Sequence, residues 1–190
     1  MRYSEDHKAR TRQRIIREAA ERFRRDGVDA TGLQTLMKAL GLTHGGFYAH
    51  FKSKDELVEI ALQEAAGQLG EVSERLFASD DPLDAFIDSY LSAEHRAGPG
   101  RGCPLPTISA ELGARGHASP TTDAVVRERL EMIEKNLPAE HAREQGVALL
   151  ASLVGALVLS RSVADEELSD RILGDTRAYL KRQVKEESPA

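Results

Sequence analysis

Between Thr43 and His50 the sequence reads THGGFYAH, which sets hydrogen-bonding side chains beside residues that have almost none. Phe47 and Phe51, four apart, turn one face of a helix inward. Thr43, His44, Gly45, Gly46, Tyr48, Ala49 and His50 are then left outside. Hydroxyl, imidazole and phenol tips next to glycines allow a helix to lie close against a groove and hydrogen-bond to its floor. The major groove of duplex DNA is such a surface. The chemistry on offer is recognition rather than bond making.

The elements around this stretch are those needed to hold it. Leu33, Leu36 and Leu40 recur at helical spacing and predict a preceding helix with one apolar face. Gly41 follows where a left-handed residue ends a helix cheaply. Leu42 fills the angle between the two helices, and Thr43 offers an N-cap oxygen to the second. Upstream, a first helix is expected from about Lys8 to Asp26, with Ile16, Ala19, Ala20 and Phe23 inward and Arg10, Arg14, Arg17 and Arg24 outward. Residues 1–7 read as a loose arm. Ser53 is a good N-cap for a helix reaching about Phe77, with Glu56 completing a capping box.

The stretch Thr31 to Leu57 resembles the DNA-binding end of the TetR-type one-component transcriptional repressors. The resemblance is carried by the Gly41-Leu42 turn, Phe47-Tyr48, His50-Phe51 and the run Lys52-Ser53-Lys54-Asp55-Glu56-Leu57. It spans roughly residues 8–60 and beyond that is only architectural. It implies an all-α fold, with an N-terminal three-helix helix-turn-helix domain over 1–52. An effector-sensing and dimerisation domain follows over 53–190, and a helix over 53–77 links the two. Base-contact positions of the family fall on Gln34, Thr43, His44, Gly45, Gly46, Tyr48 and His50, and Thr31, His50 and Lys54 suit phosphate contacts. Lys54 stands in the positive first turn of the next helix. Many relatives carry a hydroxyl residue where this chain has Gly46, so backbone rather than side chain approaches the groove there. The implied partners are double-stranded operator DNA, a second copy of the chain and a small-molecule or electrophile effector.

Composition is consistent with this. The 190 residues are 41% apolar and 30% charged, ordinary for a globular protein, and the net charge is -5. Residues 8–54 hold 11 basic and 4 acidic side chains, a formal +7, whereas residues 61–190 hold 14 and 22, a formal -8. A basic head on an acidic body suits docking of one end on phosphates, although a basic helix alone is equally a solvated face. A single cysteine excludes an intrachain disulfide, and the N-terminus is too polar for a signal peptide, so a cytoplasmic home is expected. The longest uncharged run, the 16 residues Gln145 to Ser160, is short for a membrane span and contains Gln145, Gly146, Ser152 and Gly155; no membrane association is expected.

Downstream, helices are expected from Pro82 to about His95, from Cys103 to about Gly113, from Ser119 to about Asn136, from Pro138 to about Val163 and from Glu166 to about Glu186. These bring the total to nine, with no sheet. Ala97 to Gly102 (AGPGRG) reads as a loop. The sixth helix should carry Ile108, Leu112 and Glu111 inward, and the last Leu168, Ile172, Leu173, Tyr179 and Leu180 on one side. The eighth is apolar on nearly all sides from Val147 onward and must be covered on nearly all sides. Either it is the central helix of the monomer, or, with the last helix, it forms a dimeric four-helix bundle. The resemblance implies the second, through helices at about 139–163 and 166–186.

For the sensor, Phe86, Tyr90, Leu105, Ile108, Leu112, Val125, Leu130 and Ile133 are candidates for an apolar pocket, though all are equally ordinary core residues. Cys103, after a Gly-rich loop, at a helix start and next to Arg101, is the alternative: a thiol favoured as thiolate, or a packed apolar residue. No Gly-rich phosphate loop, His-Glu-x-x-His or Gly-x-Ser-x-Gly occurs, so no catalytic residues and no cofactor are expected. The six histidines are scattered. His95, Cys103 and His117 could meet around a metal, but nothing in their spacing requires it. The rival function is a helical scaffold that binds a protein partner.

Overall fold

The computed structural model describes residues 2–186; the side chains of residues 2–4, 71 and 186 lie outside the description. Among the described residues there are nine α-helices and no strand: α1 (Arg2–Asp26), α2 (Leu33–Ala39), α3 (Lys54–Phe77), α4 (Pro82–Tyr90), α5 (Ala93–Ala97), α6 (Ala110–Ala114), α7 (Pro120–Glu134), α8 (Ala142–Ser162) and α9 (Glu166–Glu186). The chain divides into two compact units. Residues 1–68 and 100–122 form one, and residues 69–99 and 123–190 the other.

In the first unit, Ile15, Ile16, Ala19, Ala20 and Phe23 of α1 are buried with Leu36 and Met37 of α2 and Phe47, Phe51, Leu57 and Val58. Gly27 and Gly41 end α1 and α2 with positive φ (90° and 72°). At Gly41 the amides of Gly41 and Leu42 turn back to the carbonyls of Lys38 and Met37, the bonding a left-handed C-terminal residue permits. α1 already begins at Arg2, so residues from Arg2 on are helical rather than a loose arm; Met1 lies outside the described residues. Arg24 is also corrected, since it is buried rather than outward. Its guanidinium donates to the carbonyls of Ala20 (2.9 Å) and Gly102 (3.2 Å) and to Gln68 Oε1 (2.6 Å). Burial holds its pKa below the ordinary value, against the opposing pull of Glu21, Cys103 and Glu64.

Two expected helices are broken. The Pro82 helix stops at Tyr90 because Ser92 restarts the chain: its Oγ accepts from the His95 amide (3.0 Å) and caps α5. A side-chain oxygen that competes for backbone groups interrupts a helix in this way. The Cys103 helix opens instead as a π-helical turn, Leu105–Ser109, running into α6. α6 ends in a turn at Gly116 (φ 69°), with the His117 amide reaching Leu112 O.

In the second unit, α9 runs along α8, with Leu149, Leu150, Leu153, Ala156 and Leu157 of α8 and Leu173 and Leu180 of α9 buried. α8 starts at Ala142, four residues after Pro138, and the chain between is a turn. The inward stripe expected for α9 is only partly so, because Leu168 and Tyr179 are exposed. Val147, Val158 and Leu159 of α8 are exposed as well, so these two helices bury one face and present a second apolar face outward. By length and composition alone α8 is long and apolar enough to cross a membrane.

Candidate nucleic-acid interface

The segment His44–Ala49 is a 3-10 helix of six residues rather than an α-helix. Adjacent Gly45 and Gly46 supply little helix propensity, and short tight turns of this kind are where 3-10 geometry occurs. Thr43 caps it, its Oγ1 accepting from the Gly46 amide at 3.2 Å. A Cβ at Gly46 would stand 3.3 Å from that same Oγ1, so glycine at 46 protects the cap. Phe47 is fully buried and stacks on Phe51 with ring centroids 5.3 Å apart. This fixes the segment from below. Tyr48 packs edge-on against Phe47 (5.2 Å) yet is 61% exposed, and its ring lies 6.0 Å from that of His44. A rigid aromatic with its hydroxyl outward, beside an exposed imidazole, is a hydrogen-bonding edge whose position costs little entropy to fix.

Basic groups border this edge. Arg12 of α1 lies over the Phe51 ring, 4.9 Å from its centroid. His50 is half-buried, with a buried Nδ1 that has no hydrogen-bond partner. Desolvation first, then the charges of Lys8 and Arg12, hold its pKa below the ordinary imidazole value. A phosphate oxygen beside it would reverse that direction. Lys54 is the first residue of α3 and is half-buried. The cap beneath it is built as the sequence suggests: the Glu56 amide donates to Ser53 Oγ (3.1 Å). Glu56 reaches back to the amide of Lys52 (2.6 Å), one residue before the cap.

Of the expected contact residues, Gln34, Thr43, His44, Gly45 and Tyr48 are exposed, and Gly46, His50 and Lys54 are half-exposed. Thr31 is the exception. It is 5% exposed, and its hydroxyl donates to Gly27 O at 2.7 Å. That hydroxyl closes the end of α1 and is not available to a phosphate.

Glu111 of α6 is a positioning residue whose partners sequence reasoning did not find. Its carboxylate accepts from the amides of Val28 and of Asp29 (2.8 Å). Arg115 bridges Glu111 (3.1 Å) and Asp29. The corner between α1 and α2 thus hangs on one carboxylate about eighty residues away in sequence. The spacing of Glu111 with Ile108 and Leu112 marks it as inward, but no sequence signal named what it meets.

The expected sensor residues are divided between the two units. Cys103, Leu105, Ile108 and Leu112 belong to the first unit; Phe86, Tyr90, Val125, Leu130 and Ile133 belong to the second. All are buried except Leu130, which is half-buried. Cys103 is 4% exposed. Cys103 is among the groups that act on the buried Arg24, whereas Arg101 is exposed. Among the described residues no group of three or more metal-ligating side chains comes together, and His95 lies in a different unit from Cys103 and His117.

Residues 15–61 match the family model described as bacterial regulatory proteins, tetR family. Along nearly its whole length the chain is similar to an uncharacterised HTH-type transcriptional regulator of Mycobacterium tuberculosis, 24% identical over 93% of this chain and 97% of the relative. It is also similar to the HTH-type transcriptional repressor DhaR of Mycobacterium sp., 29% identical over 65% of this chain and 60% of the relative. The fold matches the crystal structure of a TetR transcriptional regulator from Legionella pneumophila, with a TM-score of 0.74 at 15% identity over 90% of this chain and 95% of that one. Residues 15–61 are thus a helix-turn-helix segment of the tetR family, and along nearly its whole length the chain is similar to helix-turn-helix transcriptional regulators, which are DNA-binding proteins and not enzymes.

Proposed function

We propose that this protein is a cytoplasmic repressor that binds a pseudo-palindromic operator as a homodimer and is released by an effector. The observation that carries this reading is the exposed His44 and Tyr48 edge, held on buried Phe47, with Arg12 and His50 against the ring of Phe51 stacked beneath it. Residues 1–52 read the DNA, with Gln34, Thr43, His44, Tyr48 and His50 toward bases, the backbone at Gly45 and Gly46 close to the groove, and Lys54 on a phosphate. Residues 53–190 sense and dimerise. The repressor role is supported by the likeness to DhaR, a repressor by name. Dimerisation through α8 and α9 is supported by their outward apolar face, with Val147 and Leu159 each 55% exposed. A symmetric pair of heads would read half-sites one helical turn, about 34–36 Å, or a multiple of it apart.

The effector is either a small hydrophobic molecule or a thiol-reactive one. Burial of Cys103 favours the first, because a reagent must find the sulfur, and a packed thiol is inert. If Cys103→Ser still releases DNA normally on addition of diamide, the thiol reading ends.

An anisotropy titration of the reduced protein against DNA from upstream of its own gene, beside a scrambled fragment, tests the whole. Binding confined to the upstream fragment and weakening steeply with salt is expected. Equal, salt-insensitive binding to both would favour the scaffold reading, in which the apolar face of α8 and α9 serves a different protein.

A further inference from the structure

The buried stripe of α7 carries Val125, Arg129 and Ile133 at four-residue spacing, so a guanidinium stands where the pattern asks for an apolar side chain. Arg129 is 4% exposed. Its Nη1 donates to Ser73 Oγ (2.6 Å) and lies 3.6 Å from Met132 Sδ. Its Nη2 is buried without any acceptor, and among the described residues it has no carboxylate partner. The fold treats its other buried charges differently. Arg24 is bonded to two carbonyls and a side-chain amide, and Asp84 takes both Lys181 and Lys185. An unpaired cation kept from water is among the most costly groups a fold can hold.

A row of rings begins one turn along α3 from Ser73, the partner of Arg129. Ser73 and Phe77 are one turn apart on the same face of α3. Phe77 begins a row of rings, 5.2 Å to Phe86, which is 5.8 Å from Tyr90. We infer that Arg129 anchors the carboxylate of an effector with an apolar, aryl or alkyl body, the body lying toward that aromatic row. One carboxylate neutralises one guanidinium and gives Nη2 a charge-assisted hydrogen bond. A phosphate dianion would leave net charge buried. The inference rests on the effector-responsive reading above and names the chemical class of that effector.

The test uses the full chain, with 4-phenylbutyrate and decanoate as probes, their methyl esters as uncharged partners, and inorganic phosphate. Binding is read by thermal melting and by titration calorimetry. The acids are expected to bind and raise the melting temperature, while the esters bind about tenfold or more weakly and phosphate does not bind. In Arg129→Met the preference for acid over ester should vanish, and the unliganded variant should melt higher than wild type, because an unpaired charge has gone. Arg129→Gln removes the charge but keeps a polar amide and should lose the acid preference equally. The anchor is overturned if no acid binds, if esters bind as tightly as acids, if phosphate competes, or if both variants retain the preference. A lower melting temperature in both variants would make Arg129 a structural hydrogen bonder and overturn it too. Operator affinity is measured separately. Acid binding that depends on Arg129 but leaves operator affinity unchanged would uphold the anchor and remove only the effector role.

Discussion

Around Tyr48 the hydrogen-bonding groups lie outside on a fixed apolar base; around Arg129 and Asp84 the charges lie inside a helical unit whose outer face, on α8 and α9, is apolar. In the first region polarity is arranged as a surface protein would have it, and only the density of polar tips beside glycines is unusual. In the second it is partly inverted: a guanidinium and a carboxylate in the core, valines and a leucine in solvent. On the proposed reading, the exposed edge, the outer apolar face and Arg129 each have another molecule as partner. The difference lies in the partner. A hydrated polyanion is met by exposed donors, whereas a second copy of the chain or an apolar effector is met by what water disfavours.

The largest effect is expected where the outer apolar face is broken. Val147→Asp with Leu159→Asp places charges in the proposed bundle and should convert the dimer to monomer by light scattering. Because two linked heads bind far more tightly than one, operator affinity should fall about a hundredfold or more. A variant that remains dimeric would move the interface elsewhere and return α8 to the role of a plain core helix.

Next comes Glu111, which holds the corner between α1 and α2. Glu111→Ala leaves the amides of Val28 and Asp29 without their acceptor and removes a partner of Arg115. The expected loss is about 1–3 kcal/mol of stability, read by denaturant melts, with weaker operator binding because the segment after α1 is no longer fixed. Full stability in this variant would mean that water replaces the carboxylate and the corner holds itself.

Within the head, Tyr48→Ala and Lys54→Ala sharpen the comparison because they should weaken DNA binding far more than stability. Tyr48 is largely exposed, so its loss should leave the melting temperature within a degree or so of wild type and weaken operator binding by about 1 kcal/mol, roughly fivefold. Lys54→Ala should weaken binding evenly across sequences and lower the slope of log affinity against log salt by about 1. An unchanged dissociation constant in either variant removes that residue from the interface.

How much of this could be read beforehand follows from the same comparison. The helix-turn-helix was legible because local signals decide it: Gly41 with its left-handed turn, Thr43 and Ser53 as caps, Phe47 and Phe51 at helical spacing. The 3-10 geometry of His44–Ala49 was not, since caps and apolar spacing are the same in both helix types. Arg24 reads as one more arginine on a basic helix, and only carbonyls supplied from a remote segment turn it inward. Arg129 was hidden differently. Val125, Leu130 and Ile133 read equally as candidate pocket lining or ordinary core, and an arginine within the same stripe carries no apolar signal to mark it as buried. Thr31 was misjudged because a hydroxyl near a helix end serves a carbonyl as readily as a phosphate.

The smallest effect concerns His95. Its Nδ1 lies 2.7 Å from Tyr90 O, and its ring meets that of Tyr90 edge-on at 4.9 Å. Burial is the main cause that holds its pKa below the ordinary 6.5; the hydrogen bond to Tyr90 works the other way, and Arg161 adds to the lowering. Well above pH 6.5 the imidazole is neutral folded or unfolded and contributes no pH dependence. As pH falls below that value the unfolded chain takes up a proton that the folded unit resists, so stability is lost until the lower, folded pKa is passed. Melting temperature should therefore drop between pH 7 and pH 5 by more than in His95→Gln. His50 contributes in the same direction, but operator DNA should oppose it, since a phosphate nearby favours the protonated ring. Melts with and without DNA over this range separate the two histidines: protection by DNA that survives His95→Gln and disappears in His50→Gln would place His50 on the phosphate, and protection unchanged in both would take it off.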